Sequence, residues 1–361
     1  APDATPAAFR TEAARIAAAF ADGQLTPEAK SAALQGAGKT AMLARLYPIA
    51  RDCAALASEM YRKDPPKVYT CRLVDKAPAS VEGWQVSPLL ASPETRESRF
   101  TSYDRKAADL LVNDVNAVRP VGQEDLAADK RTSFAMSADA DGWRIYVECA
   151  DAGADRVAAG LLGGGQLEMF FAPGYEQAYY QWFVAFPKAD FRAVNWSGPW
   201  RHFRSLAGLA RVETGEVKGG FAAVTFIPWE AVYDRLPAEG ALWPFNVIRW
   251  TRAGGVTWSG KVHNIHDFGL VRWEGLTPER LTEVKRKIVL KSFGNYRKAR
   301  NDIAAYWKDE VLGDPAFYAA SLQPAIEKLD ALGQKTDAAL SAAGVAALFT
   351  EAVPDWMEFS Y

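Results

Sequence analysis

Histidine and cysteine are scarce, with three of each in 361 residues. Cys53, Cys71 and Cys149 form no C-x-x-C pair, which excludes the usual zinc-ribbon and dithiol redox frameworks. Each thiol therefore reads as a small buried apolar residue. In an oxidising compartment Cys71 and Cys149 are candidates for pairing, because both fall in expected strands. His202, His263 and His266 include one H-x-x-H, just before Asp267, but nothing at metal spacing adds a clear further ligand. Loop hydrogen bonding or ligand contact is the expected role of these histidines. Haem held by Met169 and one of them is a rival reading.

Long apolar runs are also missing. No stretch of about 18 apolar residues occurs, so no membrane-spanning helix is expected. Neither sign of charge dominates: 42 basic side chains face 44 acidic ones, for a net −2. No global field recruits nucleic acid or an anionic membrane. The chain begins Ala1-Pro2-Asp3-Ala4 without an initiator Met. Signal-peptide removal leaves such an end, so a secreted or periplasmic location is expected. Internal repeats and low-complexity linkers are absent as well.

What is present divides the chain in three. Residues 6–62 are Ala-rich, and Thr5-Pro6 and Thr26-Pro27 each place a cap before a proline at the first helical position. Leu43, Leu46, Ile49, Ala50 and Cys53 keep a helical period, and Asp64-Pro65-Pro66 ends it. From Lys67 short alternating runs follow, separated by Gly, Pro, Asn and Asp clusters. They are 68–73, 133–136, 143–149, 166–171, 179–186, 211–214, 220–227, 245–251, 256–259 and 270–273. Without crossover helices between them, these runs predict an antiparallel β-sandwich, jelly-roll-like. At Thr277-Pro278-Glu279 the capping signal returns and helices continue to about residue 349. The expected division is thus a helical segment 1–66, a β-sandwich 67–276 and a helical segment 277–361, mainly β in class. The flanks are short for independent domains and are expected to pack together or on the sandwich.

Tryptophan is abundant. Nine of the twelve lie between Trp143 and Trp273, more than a core of that size needs, so some are expected to face something else. Flat rings on a rigid β surface stack on the C–H faces of sugars while polar side chains bind the hydroxyls. In 179–186, Tyr180, Trp182 and Val184 fall on one face and Tyr179, Gln181 and Phe183 on the other. A strand aromatic on both faces needs cover on the second, from a ligand or from the helical flanks.

Other signals weigh less. Gly36-Ala37-Gly38-Lys39-Thr40 resembles the end of a phosphate-binding loop, but the first glycine of that pattern falls on Ala33 and a helix precedes it. A helix–helix turn is expected instead. Gly160 to Gly165 lacks the G-x-G-x-x-G order and leads into a strand, so it reads as a loop. Glu148 and Glu168, on neighbouring candidate strands, form an imaginable glycosidase pair, although solvated or salt-bridged strand glutamates are commoner. Eight basic residues and one acid lie between Arg280 and Arg300. A solvated helix face is expected there, with an acidic polymer or cell surface as the sharper alternative.

The strand series resembles family 9 carbohydrate-binding modules and the wider DOMON-like sandwich group. The resemblance runs in order through 143–151, 166–173, 179–182, Phe221 to Pro228-Trp229 with its I-P-W ending, 245–249, Thr257-Trp258-Ser259 and Phe268-Gly269-Leu270. It covers about 200 residues and neither flank. It implies a noncatalytic sugar-binding sandwich, with a ligand held between two tryptophans and calcium as a structural ion. The chain departs from the family pattern at Gln166, where the family often has aspartate, and at Gly163 to Gly165, where it has an aromatic. The expected partner is an oligo- or polysaccharide, with a protein partner through the helical flanks as a further option. Trp258, in the T-W-S position, and Trp196 and Trp200, in the loop N-W-S-G-P-W, are the expected stacking rings. Gln181, Asn246, Arg249, His263 and His266 are the expected hydroxyl partners. A scaffold that has lost its sugar site and a haem-binding electron carrier are the rival readings.

Overall fold

The computed structural model describes residues 6–43, 53, 56, 66–91, 101–103, 132–150, 166–173, 179–185, 190–197, 200–202, 210–251, 254–259, 268–336 and 340–360. Their strands form two open sheets. The larger holds β1 (Val68–Arg72), β2 (Thr101–Tyr103), β5 (Gln166–Phe171), β6 (Tyr179–Ala185), β7 (Asp190–Ser197), β8 (Trp200–His202), β11 (Leu242–Thr251), β12 (Gly254–Thr257) and β13 (Gly269–Glu274), with main order β1-β13-β11-β5-β6-β7-β8. The smaller holds β3 (Thr132–Asp139), β4 (Gly142–Ala150), β9 (Arg211–Val217) and β10 (Gly220–Pro228), in order β3-β4-β10-β9.

Alternation assigns the faces. Along β10, Phe221, Ala223 and Ile227 join one apolar cluster with Leu167, Met169 and Phe171 of β5, so the two sheets share a core. The intervening Ala222 and Val224 join Ala135 and Tyr146 on the other side, under Val81 and Trp84 of the short helix Val81–Gln85. The small sheet therefore carries apolar side chains on both faces, which a two-residue period permits when both faces are covered. Ser80 caps the covering helix through its side chain, which accepts from Gly83 N at 3.0 Å.

Three expectations need correction. The pairing is not wholly antiparallel: β1 runs parallel to β13, with Val68 opposite Leu270 and Arg72 opposite Glu274. The description mainly β fits the centre only, because over the described residues helices occupy at least as much of the chain as strands. Trp196 and Trp200, expected in the loop 195–200, instead fall in the paired strands β7 and β8.

The C-terminal segment joins the central core. Thr277 caps the long helix Pro278–Lys308, accepting from Arg280 N at 3.3 Å with Pro278 in the first turn. Val284, Ile288, Val289 and Tyr296 on that helix, and Val353, Trp356 and Met357 on the last one (Val353–Ser360), belong to the same cluster as the sheet interior. At the other end, helices Pro6–Ala21 and Pro27–Leu43 bury Ile16 and Leu34 in a small cluster of their own.

The basic run is not simply a solvated face: Lys291, Arg297 and Lys298 are exposed, but several of its cations are paired. Lys287 pairs with Asp141 in the β3–β4 turn (2.8 Å), Lys291 with Glu230 after β10 (2.6 Å) and Arg300 with Asp330 on helix Gln323–Gly333 (2.6 Å). Arg280 reaches Asp75 at 2.8 Å and also donates to the carbonyl of Leu73. Arg280, Lys287 and Lys291 fasten the helix to segments next to the strands, and Arg300 fastens it to the helix Gln323–Gly333. The glycine-lysine motif of 36–40 is neither phosphate loop nor turn. It lies inside helix Pro27–Leu43, where Thr40 donates back to the Gly36 carbonyl at 3.1 Å.

Candidate functional site

The face of the large sheet turned away from the core carries the most chemistry among the described residues. On β6, Tyr180, Trp182 and Val184 enter the shared core, which turns Tyr179 and Gln181 to the opposite side. On β5, Leu167, Met169 and Phe171 enter the core and Glu168 and Phe170 point away. Register sets Gln181 opposite Phe170, so Glu168 is its diagonal neighbour, within reach of a long side chain. Gln181 Nε2 donates to Glu168 Oε2 at 3.0 Å. Glu168 is 7% and Gln181 2% exposed. Such burial of a carboxylate is tolerated when it is hydrogen-bonded.

Three rings border this pair. Phe170, Tyr179 and Phe268 have centroids 5.7 to 6.2 Å apart, in tilted and edge-on arrangements. Register places Trp196 of β7 opposite Tyr179, and Trp200 of β8 opposite Ser197. Trp196 and Trp200 are described as strand positions only. His263 and His266 lie outside the described residues, as does the glycine run 160–165.

Asn246 borders the same face but is occupied internally. Its Oδ1 accepts from Val247 N (2.9 Å), Ser259 N (3.0 Å) and Thr257 Oγ1 (3.1 Å), and its Nδ2 donates to the Ser259 carbonyl. It pins the end of β12 to β11 and has its oxygen already committed. This reassigns it from hydroxyl partner to structural tie.

Trp258 and Arg249 lie inside the protein. Trp258 is 1% exposed, with its ring edge-on to Phe134 of the small sheet (5.0 Å) and tilted on Phe245 (5.9 Å). Gly269 lies so close beneath it that a Cβ there would fall inside contact distance of the indole. Arg249 is fully buried. It donates from Nη1 to the Ala150 carbonyl (2.8 Å) and Thr132 Oγ1 (3.3 Å), and its guanidinium lies over Phe221 at 5.3 Å. It bridges the two sheets, as a planar cation with fixed donors does well. Neither side chain offers a sugar an open surface.

The glycosidase pairing fails on topology. Trp143, Ile145, Val147 and Cys149 of β4 face the shared core, so Glu148 lies on the outer face of the small sheet. There its Oε2 accepts from Tyr146 Oη (2.6 Å) and Gln85 Nε2 (3.1 Å). Glu168 lies on the outer face of the other sheet, with both sheets and their core between them, whereas carboxylates that act on one glycosidic bond are less than about 10 Å apart. Met169, the proposed haem ligand, is fully buried in the core between the sheets. Cys71 and Cys149 are buried and not joined by a disulfide, and burial pushes the Cys71 thiol well above its ordinary range. Among the described residues, no group of three or more His, Cys, Asp or Glu side chains is placed to hold a metal, and no helix is long and apolar enough to cross a membrane.

No family model matches the chain, and no curated protein matches it. The chain is similar to solved carbohydrate-binding structures. A Bacteroides uniformis protein provisionally described as carbohydrate-binding aligns at 16% identity and a TM-score of 0.39, over 58% of this chain and 100% of that one. A family 9 carbohydrate-binding module from Caldicellulosiruptor kristjanssonii aligns in two complexes, each at 9% identity over 58% of this chain. With cellotriose the TM-score is 0.38 over 95% of the module, and with glucose 0.36 over 97%.

The Glu168–Gln181 pair was only half legible in the sequence. Alternation turned Gln181 away from Trp182, but its carboxylate partner depends on a register that only pairing of β5 with β6 fixes.

Proposed function

We propose that this protein is a β-sandwich that binds carbohydrate without hydrolysing it, through the outer face of the large sheet. The observation that supports the reading is that this face holds the hydrogen-bonded Glu168–Gln181 pair beside Phe170, Tyr179 and Phe268, all buried, so a sugar would meet only the outer edge of this cluster and the stacking surface itself falls to Trp196. A carboxylate accepts from sugar hydroxyls and an amide both donates and accepts, while ring faces take the apolar C–H side. Trp196, opposite Tyr179 in register, is the stacking candidate in this reading, with Trp200 and the loop bearing His263 and His266 as further walls. Trp258, Arg249 and Asn246 are support for the fold. A structural calcium belongs to the proposal only through the family resemblance.

The test is isothermal titration of the full chain with glucose and cellotriose, preceded by a glycan array, using wild type, Trp196→Ala and Gln181→Ala. Binding lost in both variants, with the fold retained by circular dichroism and no released sugar, supports the reading. A second reading, an interaction scaffold without a sugar site, draws on the burial of Trp258 and the internal occupation of Asn246. It predicts no binding in any arm.

A further inference from the structure

Seven large apolar side chains are exposed among the described residues, and four of them, Tyr306, Val311, Leu312 and Phe317, fall within twelve consecutive positions. They sit where the long helix ends and the chain reverses. The helix buries Val284, Ile288, Val289, Ser292 and Tyr296, and no residue beyond Tyr296 on it is buried. This tip therefore extends past the core that anchors the rest of the helix.

The turn is built to hold that exposure. Asp309 ends the helix and its Oδ1 accepts from Val311 N (2.7 Å) and Leu312 N (3.0 Å), while Asp314 Oδ1 accepts from Phe317 N (3.0 Å) at the next helical turn. The Gly313 backbone packs against Tyr306 and Trp307 so closely that a Cβ would meet their main chain. Val311 and Leu312 are thus held outward, 91% and 59% exposed. Trp307, half-buried, links the two sides through ring contacts with Tyr306 (5.3 Å) and Phe317 (5.4 Å). Exposed apolar side chains gathered in one fixed turn, with Trp and Tyr among them, have the composition of a protein interface core.

The rim decides the occupant. Within 302–317 the exposed charges are Asp302, Asp309, Glu310 and Asp314 against one cation, Lys308, which lies over the Tyr318 ring at 4.8 Å. An acidic rim repels anionic lipid and another acidic tip, and attracts cationic side chains. We propose that the 306–317 tip is a docking surface for a protein segment with an apolar stripe flanked by Lys or Arg, an amphipathic basic helix in particular.

The test uses the full chain and two synthetic amphipathic helices, one of Leu and Lys and one of Leu and Glu, read by fluorescence anisotropy. The Leu/Lys peptide is expected to bind wild type and to lose about tenfold in affinity with Val311→Asp/Leu312→Asp. Glu310→Lys, which leaves the apolar patch intact, is expected to weaken binding too, with a smaller salt dependence. Both sites are exposed, and circular dichroism checks that the variants remain folded. Failure of the wild type to bind, equal binding by the variants, or equal binding of the Leu/Glu peptide overturns the proposal. So does partition onto phosphatidylcholine vesicles, or self-association on sedimentation, abolished by Val311→Asp/Leu312→Asp, which would assign the patch to a membrane or to a second copy. Sugar titrations of the same variants are expected to match wild type, so this result stands apart from that of the sheet face.

Discussion

Lys291 Nζ lies 2.6 Å from Glu230 Oε1, joining the long C-terminal helix to the turn that follows β10. The Glu230 side chain is 5% exposed and that of Lys291 42%. Lys291→Met removes the cation and strands the carboxylate in a poorly hydrated place. We expect a loss of about 1–3 kcal/mol, toward the lower end because Lys291 itself is well solvated. Glu230→Gln combined with Lys291→Met should recover part of it. Urea denaturation of the two single variants and the double variant measures the coupling.

Gly269 and Trp258 make a second pair with a measurable cost. Gly269→Ala pushes a methyl into the indole, and the sheet must shift or the ring must leave its place; about 1–3 kcal/mol should be lost. Trp258→Ala empties the contact with Phe134 and Phe245 and should cost about 3–5 kcal/mol. Trp258→Phe, milder in volume, should leave sugar affinity at the wild-type level, because this ring belongs to the core. A large affinity loss in a folded Trp258→Phe protein would return that indole to the binding face.

The sheet-face pair gives a more selective outcome. Glu168→Gln keeps the shape and removes the charge that Gln181 Nε2 meets at 3.0 Å. Affinity for a bound sugar should fall about tenfold or more, with melting changed little, if the carboxylate accepts from a hydroxyl. Equal affinity in Glu168→Gln would leave the pair a structural tie.

Alkaline pH should weaken the fold. Burial pushes the Cys71 thiol above its ordinary 9.0, and it pushes the Tyr146 and Tyr296 phenols above their ordinary 10.0, aided by Glu148 and Asp330 respectively. The folded chain then holds protons that the unfolded chain releases, so the stabilisation is complete below those ordinary values and is lost as pH rises beyond them. Lys67 runs the other way: burial lowers its pKa from 10.5, so its deprotonation favours the fold in the same range. Three groups oppose one. Urea midpoints should fall between about pH 8 and about pH 10.5, and Tyr296→Phe should flatten the slope.

Strand positions were readable where alternation was strong. The runs 143–149, 166–171 and 220–227 match β4, β5 and β10 to within a residue at each end, because alternate apolar positions are what packing on a shared core demands. Trp196 and Trp200 read as loop residues because Asn195, Gly198 and Pro199 are turn formers, yet Asn195 pairs with His202 between β7 and β8. Side-chain destinations were harder. Trp258 and Trp196 look alike in a single strand pattern, and which face is closed depends on the second sheet, whose Phe134 lies more than a hundred positions before Trp258. Arg249 read as a polar group fit for a ligand. Its partners, Ala150 and Phe221, belong to the other sheet, so nothing local announced them. The cations of the long helix read as a solvated face for the same reason: Asp141 and Glu230 lie far back in the chain.

The parallel ladder between β1 and β13 sets an order of events during synthesis. The chain leaves the ribosome with Val68–Arg72 some two hundred positions ahead of the strand it pairs with. Until Glu274 has emerged, the edge of the large sheet must wait with its amides facing water, and pairing that distant closes late and slowly. Release of the chain before that point would strand a row of open peptide groups, a natural target for holding factors.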